Sequence, residues 1–436
     1  MLQTIRNAWK IPELRNKFLF TIFIVLIYRL GSVIPVPYVD SEILSSIFDT
    51  FAGGSIFAYF NLLSGDAFSR ATLFALSISP YITAQIVIQL LTIAIPALER
   101  LAAKGEEGRK TIASITRYVT VALGLLTAFG YYTYLRNTEF VSGQYGVLTD
   151  RGVFAAIVII ACYGAGASII MWLAEKINDK GIGNGISIIL LANIVARVPA
   201  SVYSAIKNLV SGSVTLEKFI GFVAVAAISI ITVWFVVYMN DAERRIPVQY
   251  AKRQVGRKMY GGQNTFIPLK LSMSGVMPII FASSIVSIPT TLALIFNPKP
   301  GGVWEKIVNF FSYQNPVYAI IYFILIIAFS YFYISISFNP VEVSNNLKKN
   351  GGSILGIRPG KPTTDYIAKI LSRITLIGAI FLGLIATIPL IVSMATSWSS
   401  LAFGGSSIII VVGVIIETIR DIEAQMTMRH YKGFLG

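Results

Sequence analysis

Ten separate stretches of this chain stay apolar for about twenty residues and are bounded by charge, proline or glycine. A helix needs about 20 residues to cross roughly 30 Å of hydrocarbon, and among unclosed structures only a helix bonds all its backbone groups there. The windows are Phe18 to Val36, Leu76 to Ile95, Ile115 to Leu135, Val153 to Leu173, Gly183 to Tyr203, Phe219 to Asn240, Leu271 to Phe296, Val317 to Phe338, Ile374 to Met394 and Leu401 to Ile419. They predict an all-α polytopic membrane protein of about ten spans. Only 13% of the 436 residues are charged, against about a quarter in soluble proteins, which excludes an ordinary water-soluble enzyme. Pro80 interrupts the second window, and Gly275, Pro278 and Pro289 interrupt the seventh, so both are expected to be broken or kinked.

Lys and Arg fix the orientation, because cytosolic loops carry the excess. Residues 1–17, the loop holding Arg100 to Arg117, the loops 241–270 and 339–373, and the tail 421–436 carry most of them. Both termini are therefore expected in the cytosol, and a cleaved signal peptide is not expected. Part of the net charge of +15 is explained by orientation alone. The loops 241–270 and 339–373 are far longer than a helical hairpin needs, and read as docking platforms. In the first, Ile246, Val248 and Tyr250 alternate with Pro247, Gln249 and Ala251, a weak strand signal, and Gly261-Gly262 offers a turn. In the second, Pro340 to Lys349 reads as a short helix stopped at Asn350-Gly351-Gly352 and followed by the turn Gly356 to Gly360.

The chain holds one cysteine, Cys162, and one histidine, His430. An intrachain disulfide is impossible, and histidine triads and two-histidine metal sites are disfavoured or excluded. No phosphate-cradling Walker loop is present, and GIGNG (Gly181 to Gly185) lacks the strand and βαβ unit of a dinucleotide site. Arg29 and Glu417 lie near span ends, where side chains snorkel to the interface. The near absence of other intramembrane charge argues against the alternative class, a polytopic small-solute or ion-coupled transporter with a polar midplane site. No enzymatic activity and no cofactor are expected.

One segment is too short and polar to span yet too apolar for a loop: Phe60 to Ala75, FNLLSGDAFSRATLFA. It reads either as an interfacial amphipathic helix or as a re-entrant helix filling an internal cavity. In a helix, Asp66 and Arg70 at i and i+4 can pair. Beside it, Ile78 and Ile82 share a helical face, a spacing that ordinary packing residues also show.

Several long stretches together carry a resemblance over nearly the whole chain. They are FNLLSGDAFSRATLFALSISPYITAQIVIQLLT (Phe60 to Thr92), KGIGNGISI (Lys180 to Ile188), RRIPVQYAKR (Arg244 to Arg253), IPLKLSMSGVMPIIFASSI (Ile267 to Ile285), FNPVEVSNNLKKNGG (Phe338 to Gly352), GIRPG (Gly356 to Gly360) and MRHYKG (Met428 to Gly433). The chain resembles the bacterial SecY family, channel subunits of the Sec protein-conducting translocon. The resemblance implies two inverted five-helix halves, 18–205 and 206–420, and an hourglass pore whose waist is ringed by Ile78, Ile82, Leu190, Ile280 and Ile410. It implies that residues 60–75, with Leu62, Leu63, Ser64, Gly65, Asp66, Phe68 and Arg70, form a re-entrant plug helix. It further implies a lateral gate between the second and seventh spans, flanked by the third and eighth. Arg244, Arg245, Arg253, Arg257, Lys258 and Arg358 are then docking residues for the ribosome and the SecA motor. Expected partners also include the small subunits SecE and SecG, signal sequences, nascent polypeptides and the lipid bilayer, with the bacterial cytoplasmic membrane as location.

Overall fold

A computed structural model describes residues 2–51, 61, 64–142, 147–150, 152–210, 216–250, 253–255, 258–260, 264–296, 302–311, 315–396 and 399–432. The architecture is a bundle of long apolar helices carrying a small sheet. Four described stretches are each long and apolar enough to cross a membrane: Glu106–Arg136, Val153–Lys180, Pro316–Lys349 and Lys361–Ile391. The pair Ser79–Ala94 and Pro96–Ala102 makes a fifth if counted as one bent span. Other sequence windows fall on helices that are shorter or more polar over their described length, among them Pro12–Gly31, Gly185–Ala200 and Ala227–Asp241.

The interruptions follow proline chemistry, with one change from expectation. Pro80 does not break the second span; it lies in the first helical turn of Ser79–Ala94, where its missing N–H is no loss. The break comes one span-length later at Pro96, where the axis turns by 103°. The seventh window is divided as expected. Gly275 adopts φ +58°, Met277–Val286 starts with Pro278 in its first turn, and a second helix, Ile288–Phe296, follows Ser287.

Side chains and loop amides tie several helix ends together. Asn178 accepts from the Gly185 amide at 2.7 Å, and Thr21 accepts from the Ile182 amide at 3.0 Å. Asp421, on the last helix Ser399–Lys432, accepts from the Gly183 amide at 3.1 Å, and Lys17 donates to Gln425 at 2.9 Å. GIGNG is thus a structural junction, with Gly183 at φ +75°. Arg420 donates to the Asn240 carbonyl and pairs with Asp241 at 3.0 Å, closing the end of Leu216–Asp241 with a cation at a helix C-terminus.

The loop between that helix and the seventh window folds as strands. β1 (Glu243–Tyr250) pairs antiparallel with β4 (Asn264–Lys270), setting Ile246 opposite Ile267. β5 (Gly352–Ile354), from the second long loop, joins the other edge of β1 with Val248 opposite Ile354. The strand expected over Ile246 to Tyr250 is present. Pro247 falls where β5 does not reach, so its absent N–H is tolerated. β2 (Arg253–Val255) and β3 (Lys258–Tyr260) form a separate pair, and the turn expected at Gly261-Gly262 lies outside the described residues. Pro340–Lys349 is the expected short helix, started by Asn339, whose side chain accepts from the Val341 and Glu342 amides. Its end is followed by Gly351 at φ +69°.

Gly166 shows how closely the irregular segment before Ser79 packs on the bundle. A Cβ there would lie 2.0 Å from the Leu73 carbonyl oxygen, and backbone cannot yield as a side-chain tip can. Gly166→Ala is expected to cost about 1–3 kcal/mol, read as a lowered unfolding midpoint of the purified protein in detergent.

Candidate functional site

The five residues expected at the waist are all buried, and all belong to one apolar cluster at the centre of the bundle. Ile78 caps the Ser79–Ala94 helix, and Ile82 donates its amide to the Ile78 carbonyl at 3.1 Å, so the two do lie one turn apart. Leu190 comes from Gly185–Val210, Ile280 from Met277–Val286 and Ile410 from Ser399–Lys432. The five side chains are pure hydrocarbon. A surface of this kind gives water and ions no hydrogen-bond partner.

Above this cluster the chain departs from the expected helix. Asn61 and Ser64 are helical, but residues 65–71 run in turns, with Gly65 at φ +65°, Asp66 at φ +69° and Ala71 at φ +47°. Leu62 and Leu63 lie outside the described residues. The helical i,i+4 pair of Asp66 with Arg70 is not formed. Arg70 is exposed, and Asp66 instead pairs with Nε of Arg197 at 3.0 Å. The physical reason is local: a left-handed residue at Gly65 and another at Asp66 end the helical register that would stack 66 under 70.

Side chains replace the missing helical bonds. Asn61 accepts from the Ser69 amide and donates to Asp66, each at 3.0 Å, while Ser64 accepts from the Phe68 amide at 3.0 Å. The Tyr131 hydroxyl donates to the Phe68 carbonyl at 2.5 Å. Phe68 is buried with its ring 4.5 Å from Tyr131 and 5.6 Å from Phe48, within a second apolar cluster.

Arg29 also differs from expectation. It does not snorkel to the interface; Nη2 donates to the Ala192 and Asn193 carbonyls, and a Cβ on Gly65 would lie 3.2 Å from its guanidinium nitrogens. An arginine whose head finds two carbonyl acceptors inside the protein has no reason to reach for water.

A cavity of about 320 Å³ opens between the second, third and seventh windows. Pro80, Thr83 and Val87 line one wall, Leu123 and Leu126 another, and Ser284, Ile288 and Leu292 the third, with Phe68 at its end. These are the expected gate spans, and the lining is almost wholly apolar.

In the two long basic loops, Arg244, Arg245 and Arg358 are exposed. Arg245 pairs with Glu243 at 2.7 Å and stands 4.8 Å from the centre of the Phe266 ring. The GIRPG turn is held from within, as Thr363 donates to the Arg358 carbonyl at 2.9 Å and Ser344 to that of Gly360. Arg253 and Lys258 fall on β2 and β3, and Arg257 lies outside the described residues. Lys270, at the end of β4, has its ammonium held below the usual range, chiefly by burial and next by Arg420. Sequence reasoning missed β5, which joins the two basic loops into one platform over a core of Ile246, Val248, Leu269, Leu347, Ile354 and Ile367. It also missed Asn61 and Arg197; a polar residue five before an acidic one was the available signal.

The comparison with known proteins decides the family. The SecY family model matches residues 72–419. The chain belongs to the SecY family. It is 42% identical over 444 residues to the protein translocase subunit SecY of Streptomyces galbus, and 41% identical over 448 residues to that of Mycobacterium bovis, covering all of this chain and all of each relative. In fold it is similar to a solved protein-conducting channel, with TM-score 0.67 at 19% identity over 97% of both chains. It is similar too to Sec61 in a canine ribosome-channel complex, with TM-score 0.61 at 18% identity over 97% of both chains. A SecY-family chain with these apolar helices is a multi-pass membrane protein.

Tyr131→Phe keeps the ring stack and deletes only the donor to Phe68. The Phe68–Thr72 amides are expected to exchange hydrogen about five times faster, the effect of losing one buried hydrogen bond of about 1 kcal/mol, read by mass spectrometry.

Proposed function

We propose that this chain is the channel subunit of a bacterial protein translocon, passing unfolded polypeptides across the cytoplasmic membrane and releasing apolar segments sideways into lipid. The observation that carries the reading is the convergence of Ile78, Ile82, Leu190, Ile280 and Ile410 from four helices in one buried apolar cluster. In this reading they form the waist, and residues 60–75 are the plug, built here largely from turns. A hydrocarbon ring excludes ions, yet makes no contact that selects one polypeptide sequence over another. The channel is not an enzyme; bound partners supply the energy.

The cavity between the second, third and seventh windows supports a lateral gate, because an apolar segment of about 20 residues entering there meets apolar walls and then lipid. The two halves comprise 18–205 and 206–420, flanked by a cytosolic segment 1–17 and a tail 421–436. Both termini face the cytosol, on the side of the basic platform. That platform docks partners: Arg244, Arg245, Arg253, Arg257 and Lys258 face ribosomal RNA phosphates, Arg358 the SecA motor, and SecE and SecG complete the complex. Two exposed arginines on a sheet and on an internally braced turn support docking, since neither side chain is needed to hold the fold.

Two experiments test this. Ile78→Asn with Ile82→Asn is expected to wet the waist and raise resting ion conductance in planar bilayers; a folded double variant as ion-tight as the parent removes these residues from the pore. Arg358→Glu is expected to reduce motor-driven translocation into proteoliposomes at least tenfold, about 1.4 kcal/mol of partner contact, with normal abundance. Saturable flux of a small solute, with no passage of polypeptide, would favour a carrier instead.

A further inference from the structure

The turn at Gly65-Asp66 is placed between two cations that the pore reading does not use. Asp66 accepts from Nε of Arg197 on the Gly185–Val210 helix at 3.0 Å, with about 30% of each side chain exposed (27% for Arg197, 31% for Asp66). On its inner side, Arg29 from Pro12–Gly31 is fixed on the Ala192 and Asn193 carbonyls, one turn below Arg197 on that same helix. Gly65 is pressed into this corner, since a Cβ there would lie 3.1 Å from the Asn193 carbonyl oxygen.

The carboxylate is pre-aimed. Asn61 holds Asp66 from behind, donating to Oδ1 at 3.0 Å and accepting the Asp66 amide at its own carbonyl at 3.0 Å. Ser69 donates to the Asp66 carbonyl at 3.2 Å. Asp66 sits at φ +69°, a conformation that Asp and Asn tolerate better than most side chains. The loop thus presents one anion, in fixed register, to a wall carrying two cations.

A half-buried pair of this kind is screened less than one on an open surface, and removing either partner leaves a charge with poor solvation. The opposite side of the segment is held by apolar contacts of Phe68 with Tyr131 and Phe48. Hydrogen bonds from Tyr131 to the Phe68 carbonyl and between residues 34–36 and 71–73 fix the register there, and the ion pair adds a charged contact at the Gly65-Asp66 turn.

We propose that Asp66 and Arg197 are a polar latch that holds the plug segment on the wall of the Gly185–Val210 helix in the resting channel, with Arg29 as the residue that positions the turn. The proposal rests on reading residues 60–75 as a plug. It makes the resting seal depend on two interactions of different chemistry, and it makes opening require the separation of a specific charge pair.

The test is a double-mutant cycle read as resting ion conductance of the assembled complex in planar bilayers. Asp66→Asn preserves the tolerance for positive φ, and Arg197→Gln preserves a polar side chain. Each alone is expected to raise resting conductance about five- to tenfold, and the double variant no further, because coupled residues act non-additively. Arg197→Lys keeps the charge and is expected to stay nearer the parent than Arg197→Gln does; this comparison stands even where Asp66→Asn fails to fold. Single variants as ion-tight as the parent, effects that multiply in the double variant, or Arg197→Lys as leaky as Arg197→Gln would each overturn the latch. The parent complex is run with an unfolded polypeptide bearing an apolar signal segment, plus motor and ATP. A parent that never opens overturns the channel reading itself, and the latch with it, whereas a parent that opens beside ion-tight variants overturns the latch alone.

Discussion

Everything in this fold follows from the lack of water at membrane depth. A helix answers that constraint by itself, since it bonds its own backbone groups. The segment 64–78 does not, because it runs in turns while buried, and each of its polar groups needs a partner from elsewhere. Those partners are present. The Ala71 carbonyl accepts from the Val36 amide at 3.2 Å, and the Leu73 amide donates to Ile34 at 2.9 Å. Thr72 donates its amide to Ala67, and Tyr131 supplies a hydroxyl to Phe68. Irregular backbone is tolerated here because residues distant in sequence, among them Ile34, Val36 and Tyr131, help satisfy it, and Gly166 and Gly31 must be small where that segment crosses them.

The same constraint explains the division of labour in the molecule. Helices that meet only lipid or one another need apolar surface, and Val153–Lys180 or Pro316–Ser337 supply little else. Polar side chains are concentrated at the GIGNG junction, around the turn at Gly65-Asp66, and in the small sheet. Between these lies the apolar cluster holding Ile78 and Ile280. Isoleucine is stiff at χ1, so a ring built from it keeps its shape while the helices bearing it shift.

Four spans, or five with the bent pair, were legible because a twenty-residue apolar run has few other meanings in a chain this poor in charge. The strand over Ile246 to Tyr250 was legible for a similar reason, since period-two alternation survives in a short segment. Legibility failed where a partner distant in sequence decides the conformation. Nothing local links β1 to Gly352–Ile354, about a hundred residues on. Asp66 and Arg70 have helical spacing, yet Ser64-Gly65-Asp66 is equally a turn signature, and Arg197 settles which partner Asp66 takes. Arg29 looked like a snorkelling residue because its carbonyl acceptors belong to another helix. Pro80 and Pro96 each lie in a first helical turn, and the chain bends at the second because another helix, Ser79–Ala94, ends just before it.

The GIGNG junction has a mechanical meaning. Thr21, the GIGNG amides, Asp421 and the Lys17–Gln425 contact fasten helices from both ends of the sequence at one end of the bundle. Rods pinned at one end behave as levers. A rotation of about 5° about such a pivot carries points roughly 30 Å away, the thickness of the hydrocarbon layer, through nearly 3 Å, while points beside it hardly move. The pinned end keeps its shape, and the travel is delivered to the far face.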